Sequence, residues 1–210
     1  MTRRFRHWTP RYILNRITLM AHERMHPDSP WLTRTMVEIL ASWLGPDDRG
    51  LEWGSGRSSL WFAERVKHLV SVEHNESWYR KGYSKLKEKK LENVDYRFYI
   101  DRLEYVSFTD QLPRESFDFI LVDGIERDRC ALAAIPLLKD RGILIIDNIN
   151  WYLPSESRSP DSRRFSDGAA SEHWDSFCKT VNHWRCIWTT NGVTDTALWV
   201  KSANGQNVNR

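Results

Sequence analysis

Four acidic residues in this 210-residue chain are placed where they can act together. The stretch Leu51–His74, LEWGSGRSSLWFAERVKHLVSVEH, sets Gly54 and Gly56 between Glu52 and Glu73. Further on, FILVD ends at Asp123 and ILIIDN ends at Asp147-Asn148. Each of the four acids sits at or near the carboxyl end of an apolar run that reads as a strand. In an open parallel sheet, ligands bind outside those ends, near the point where strand order reverses. Glycines let the chain turn tightly and let a ligand approach with no Cβ in the way. The helix start that follows offers free N–H groups. A dinucleotide uses both for its pyrophosphate, with an acid about 20 residues on for its ribose hydroxyls. Glu73 suits the ribose role, because one carboxylate accepts both hydroxyl protons. Glu52 suits a pyrophosphate badly, because it meets one like charge with another just before the loop. A cationic ligand suits it better. The third glycine of the dinucleotide pattern is replaced by Ser59.

The elements that must position these residues follow from periodicity. Residues 3–26 carry scattered apolar positions among arginines and predict one or two short helices. HPDSP at 26–30 is a turn, and apolar spacing of three and four predicts an amphipathic helix over 31–44. GPDDRG at 45–50 breaks it. A strand at 51–53, a helix at 58–66, a strand at 69–73, a helix at 77–93 and a strand at 94–100 come next. A strand at 117–123, a helix at 127–140 that Pro136 shortens or kinks, and a strand at 141–148 complete the alternation. Five strands alternating with helices predict a doubly wound α/β fold with a mainly parallel sheet. The runs FILV and ILII fit strands covered on both faces. A helix over 171–183 precedes RCIWTT, the NGV turn and DTALWVK, which predict an antiparallel C-terminal hairpin and a seven-stranded sheet. The expected organisation is an N-terminal helical cap at 1–48, a catalytic domain at 49–201 and a flexible tail at 202–210.

Composition narrows the classes. A 40% hydrophobic fraction supports a core, and three cysteines without a CxxC pair argue against a disulfide scaffold and fit a reducing compartment. No apolar run approaches the roughly 18 residues of a membrane span. The basic N-terminus lacks the apolar segment of a signal peptide, so the expected address is cytoplasmic. The net charge of +3 is concentrated at Arg3, Arg4, Arg6, Arg11 and Arg16. Such a segment is either a solvated helix face or a contact for anionic membrane or nucleic acid.

E-x-G-S-G at Glu52–Gly56, with VEH at Val72–His74 closing the next strand, resembles the cofactor site of class I S-adenosylmethionine-dependent methyltransferases. That cofactor carries an adenosine, a sulfonium and an ammonium, and no phosphate, which reconciles the glycines with the acids. The terminal hairpin matches the same family's sixth and seventh strands. The resemblance implies that Glu73 binds the ribose and that Glu52, Gly54, Ser55 and Gly56 surround the methionyl part. It places His74 beside the adenine, Asp123 at the cofactor, and Asp101 at the adenine amino group; Asp101 has an equal reading as a helix N-cap. Asp123, Asp147 and Asn148 resemble the metal ligands of catechol O-methyltransferase-type enzymes, which implies magnesium, although an acid after the fourth strand is also common in metal-free methyltransferases.

Asp123, Asp147 and His173 are the candidates for handling the acceptor's proton. The segment 149–175 is expected to cover the substrate, with Trp151, Tyr152 and Trp174 stacking on an acceptor ring or sugar and Arg158, Arg163 and Arg164 binding an anionic one. The function expected is O-methylation of a hydroxyl on a small molecule, sugar or phenolic. A nicotinamide-dependent oxidoreductase and a non-catalytic nucleoside- or nucleic-acid-binding protein are the alternatives. Nucleic acid is the less favoured partner, since no aromatic RNA-binding signature is present, and a homodimer is compatible with the chain.

Overall fold

The computed structural model describes residues 9–203. Arg3, Arg4, Arg6 and Trp8 of the basic first segment, and the tail from residue 204, lie outside the described residues. Helix α1 (Pro10–Met25) and helix α2 (Arg34–Trp43) precede an alternation of β1 (Arg49–Trp53), α3 (Arg57–Ala63), β2 (His68–Glu73), α4 (Glu76–Glu88), β3 (Val94–Phe98), α5 (Arg102–Ser107), β4 (Phe117–Val122), α6 (Arg127–Ala134) and β5 (Leu138–Asp147). After β5 come α7 (Glu172–Val181), β6 (Arg185–Thr190) and β7 (Asp195–Val200). The seven strands form one sheet in the order β3-β2-β1-β4-β5-β7-β6. All pairings are parallel except those of β7 with β5 and β6. The chain winds outward from β1 to β3 and returns to β4, so the order reverses between β1 and β4. The carboxyl ends of those two strands therefore frame a crevice.

Alternation along the strands gives each face of the sheet its own core. Leu51, Trp53, Val70, Val72, Leu144 and Ile146 pack on one face with Tyr105, Cys130 and Phe177. Leu69, Phe119, Leu121, Ile143 and Ile145 pack on the other with Met36, Leu40 and Phe62. The pairing of β4 with β5 shifts register between Phe117 and Phe119, with the extra residues in β5, and Phe117 shares a face with Ile120 rather than with Phe119. Each fully buried Leu, Ile or Phe contributes roughly 1.5–3 kcal/mol. Among the described residues no helix is long and apolar enough to cross a membrane.

Two helix boundaries and one unassigned stretch show most clearly where the structure departs from the sequence-based expectation. The helix expected over 31–44 starts at Arg34, because the Thr33 hydroxyl accepts the Met36 N–H and caps it there. Thr33 also bonds to Thr189 and Thr196, tying this helix to the terminal hairpin. The helix expected over 127–140 stops at Ala134, ahead of Pro136, and Leu138 already pairs with Phe117. A short helix, α5, fills a stretch with no sequence-based assignment.

Candidate active site

The loop after β1 is shaped by its glycines and by Glu73. Gly54 has φ +93°, and a Cβ there would lie 2.7 Å from the Asp123 carbonyl carbon and from the Gly124 nitrogen. Only glycine takes that conformation and that proximity without strain. The Gly54 N–H donates to the Val72 carbonyl, 2.9 Å, which fastens the loop to β2. Gly56 is the opposite case: no other atom lies within 4 Å of where its Cβ would be. It borders open space that a side chain would fill.

Glu73, at the end of β2, is 3% exposed. Its Oε2 accepts from the Ser55 N–H (3.0 Å) and the Ser55 hydroxyl (2.9 Å), and its Oε1 accepts from the N–H groups of His74 (2.8 Å) and Asn75 (2.7 Å). The Ser55 hydroxyl also lies 2.6 Å from the Tyr96 hydroxyl. The His74 ring meets the Tyr105 ring edge-on at 5.6 Å. Gly54, Ser55, Glu73, His74, Asp123 and Gly124 thus line one crevice of about 300 Å³, whose remaining walls are Trp31, Trp78 and Ile125. Trp31 and Trp78 meet edge to face at 5.9 Å. Neither tryptophan had been separated from the chain's other tryptophans by sequence reasoning. The available signal was that Trp78 falls in the first turn of the helix that follows VEHN.

Glu52 does not line this crevice. It is fully buried on the α3 side of the sheet, where the Ser71 hydroxyl donates to its Oε1 at 2.6 Å and its Oε2 has no partner. Burial pushes its carboxyl up to about 7, against the opposing hydrogen bonds of Ser59, Ser71 and Ser58. Ser59 in turn accepts the Gly56 N–H at 3.1 Å. Glu52 thus sits beneath the loop, joined through serines to the backbone that shapes it.

Asp123, Asp147 and Asn148 do converge, and a guanidinium lies among them. Arg127 Nη2 donates to the Asp123 carbonyl (2.8 Å) and to Asp123 Oδ1 (2.9 Å). Its Nη1 donates to the Asp147 carbonyl and to Asn148 Oδ1 (3.0 Å), and its Nε donates to the Gly124 carbonyl (2.8 Å). All five N–H donors of the guanidinium are used, and the ends of β4 and β5 are stapled by one cation. The Asp147 carboxylate turns to Thr196, whose hydroxyl donates to Oδ1 at 2.6 Å. Burial, reinforced by the negative charge of Asp123, raises the Asp147 carboxyl, and Arg127 opposes the shift. This donor set does not fit magnesium: Arg127 sets a cation against Asp123 Oδ1 and Asn148 Oδ1, two of the oxygens a divalent ion would need. Among the described residues, no group of three or more His, Cys, Asp or Glu is arranged to hold a metal. Sequence reasoning missed Arg127.

The remaining predicted residues lie further out. Asp101 Oδ1 accepts from the N–H groups of Leu103 (2.8 Å) and Glu104 (3.0 Å) and caps α5, so the N-cap reading describes its contacts. His173, about half exposed on α7, lies 3.7 Å from Asp128 and borders neither cleft. Trp174 is 1% exposed and belongs to the core, where it stacks on Tyr152 at 5.2 Å; that burial removes it as an acceptor platform. Arg163 donates to the carbonyls of Asp167, Gly168 and Ala169, and Arg164 to that of Ser157, so both hold the covering segment together. Arg158 borders a second, wider cleft of about 1080 Å³ between α1, residues 156–167 and the β6–β7 turn. That turn is reached from Arg127 through Asn148, whose Nδ2 donates to the Thr194 hydroxyl at 2.6 Å.

The fold recurs in solved structures. An O-methyltransferase from Bacillus cereus, solved with SAH, superposes with a TM-score of 0.63 at 16% identity over 92% of this chain and 91% of its own. The O-methyltransferase TomG from Streptomyces achromogenes, solved with SAM, gives 0.60 at 20% identity over 93% and 91%. The chain has the class I methyltransferase fold. The same fold carries other chemistry: the [4+2]-cyclase SpnF gives a TM-score of 0.55 at 13% identity over 81% of each chain. No protein-family model and no curated protein matches the sequence. At these identities the methyltransferase fold is shared, while the reaction must be argued from the site.

Proposed function

We propose that this chain is an S-adenosylmethionine-dependent methyltransferase acting on a hydroxyl of a small molecule. The observation that carries the reading is the charge of the narrow crevice. Among the described residues its charged lining consists of the carboxylates Glu73 and Asp123, the latter paired with Arg127 from behind, and no lysine or arginine lines it. Such walls favour a cationic ligand and oppose a pyrophosphate. S-adenosylmethionine supplies an activated methyl group on a sulfonium. Glu73 takes the ribose hydroxyls, exchanging its Ser55 bonds for them. The open space at Gly56 accommodates the methionyl part, with Gly54 and Ser55 beside it. His74 and, more distantly, Asp101 flank the adenine. Residues 1–48 act as a cap over a catalytic domain at 49–201, and the wide cleft receives the acceptor.

Methyl transfer is an in-line displacement, so alignment by the chain does most of the work. A hydroxyl acceptor must also lose a proton. Asp147 is the poorest base of the three candidates near neutral pH, because its raised carboxyl keeps the proton. Asp123, which lines the narrow crevice, is the remaining candidate at the site, since His173 borders neither cleft. The likeness to two O-methyltransferases supports the hydroxyl as acceptor.

The test is transfer of a labelled methyl group to a panel of phenols, sugars and amines, with and without a chelator. The expected result is label on a phenol or sugar oxygen, unchanged by chelator and lost in Glu73→Gln. Label on amines alone would overturn the acceptor class. Activity abolished by chelator and restored by magnesium would overturn the reading of Arg127.

A further inference from the structure

Helix α1 has two faces, and among the described residues only one of them is packed against the rest of the chain. Tyr12, Asn15, Leu19, His22 and Glu23 are its half-buried positions, spaced by three and four along one side. Asn15 lies against Gly192 in the β6–β7 turn, and the Glu23 carbonyl accepts from Arg57 Nη1 at 3.2 Å, at the start of α3. The helix therefore lies across the sheet edge where both clefts open.

Its other face is mainly apolar and exposed, with Arg24 on it in the last turn. Ile13 is 40% exposed, Leu14 64%, Ile17 58% and Met20 40%, and no residue of the helix is buried. At about 100° per residue these four form one stripe opposite the packed face. Arg11 and Arg16 fall on its two borders, and both are exposed. Charge is distributed accordingly. Residues 1–24 hold six arginines and one acid, a net +5, while the whole chain carries +3, which leaves the other 186 residues at −2.

We propose that α1 is a membrane-surface helix, whose stripe of Ile13, Leu14, Ile17 and Met20 enters an anionic lipid surface while Arg11 and Arg16 meet lipid phosphates. An apolar stripe bordered by arginines is the pattern of a helix lying in the interface plane, and long basic side chains reach from such a stripe to the headgroups. Charge selects this occupant over a second copy. Two copies of α1 laid face to face bring arginine against arginine, whereas an anionic surface attracts this basic segment. A nucleic acid would satisfy the arginines and leave the stripe in water. On the lipid, the edge carrying both clefts faces the membrane.

The experiment is co-sedimentation of the full chain with vesicles of pure phosphatidylcholine and of phosphatidylcholine with about a third phosphatidylglycerol. The expected result is binding to the anionic vesicles at least tenfold stronger than to the neutral ones, weakened by high salt. A double variant, Ile13→Asp with Ile17→Asp, loses that binding while its affinity for S-adenosylhomocysteine stays unchanged. Absence of binding to anionic vesicles at low salt would overturn the proposal. So would a dimer in sedimentation velocity that the double variant splits, or binding to RNA that outcompetes the vesicles and survives the double variant.

Discussion

Glu52 is a carboxylate held where water does not reach it, and that has a measurable consequence. Its ordinary pKa is 4.5 and burial moves it up to about 7. The unfolded chain therefore ionises Glu52 more readily than the folded one. The associated stability is fully present below about pH 4.5 and is lost as pH rises to about 7. Across that window the loss is roughly 3 kcal/mol. Glu52→Gln is expected to shrink the stability difference between pH 4.5 and pH 8 by about that amount in urea unfolding; an undiminished difference would show that Glu52 is not buried as an acid. At this scale the sequence was informative about residue types and less so about direction. Glu52 and Glu73 both flank the glycines, yet alternation along the strand turns Glu52 into the core, while Glu73 ends its strand at the crevice. Arg127 escaped attention because it reads as one more charge in the run ERDR. Only the approach of β4 to β5 reveals what its five donors reach.

The elements place these residues, and the loop between β1 and α3 is the most constrained. Its two glycines make opposite predictions. Gly54→Ala forces a Cβ to within 2.7 Å of backbone in a conformation that favours glycine, which is expected to cost roughly 1–3 kcal/mol and to displace the loop. Gly56→Ala meets nothing, so its stability stays within about 0.5 kcal/mol of the parent, while its added methyl group intrudes on the ligand. Thermal melts with binding of S-adenosylhomocysteine separate the two. A Gly56→Ala protein with full affinity would move the ligand away from this glycine. Element order was legible, because the switch from period three-to-four to short apolar runs is strong in this chain. Boundaries were less so. A hydroxyl cap at Thr33 and an imino nitrogen at Pro136 reset two helices that periodicity alone extended too far.

For the whole molecule, the sheet follows from the alternation of elements and the NGV turn, and the crevice follows from the sheet. The acceptor does not follow. The cleft beside α1 is built from residues 9–15, 156–167 and 190–192, segments far apart in sequence whose meeting no local pattern announces. The charge of the narrow crevice is a property of the assembled edge as well, and the proposed reaction rests on it. Calorimetric titration with S-adenosylhomocysteine and, separately, with NADH measures that property directly. The account predicts micromolar binding of the first and none of the second. Binding of NADH alone, or of neither, would contradict the methyltransferase reading and leave the glycine loop serving another nucleoside or a purely structural turn.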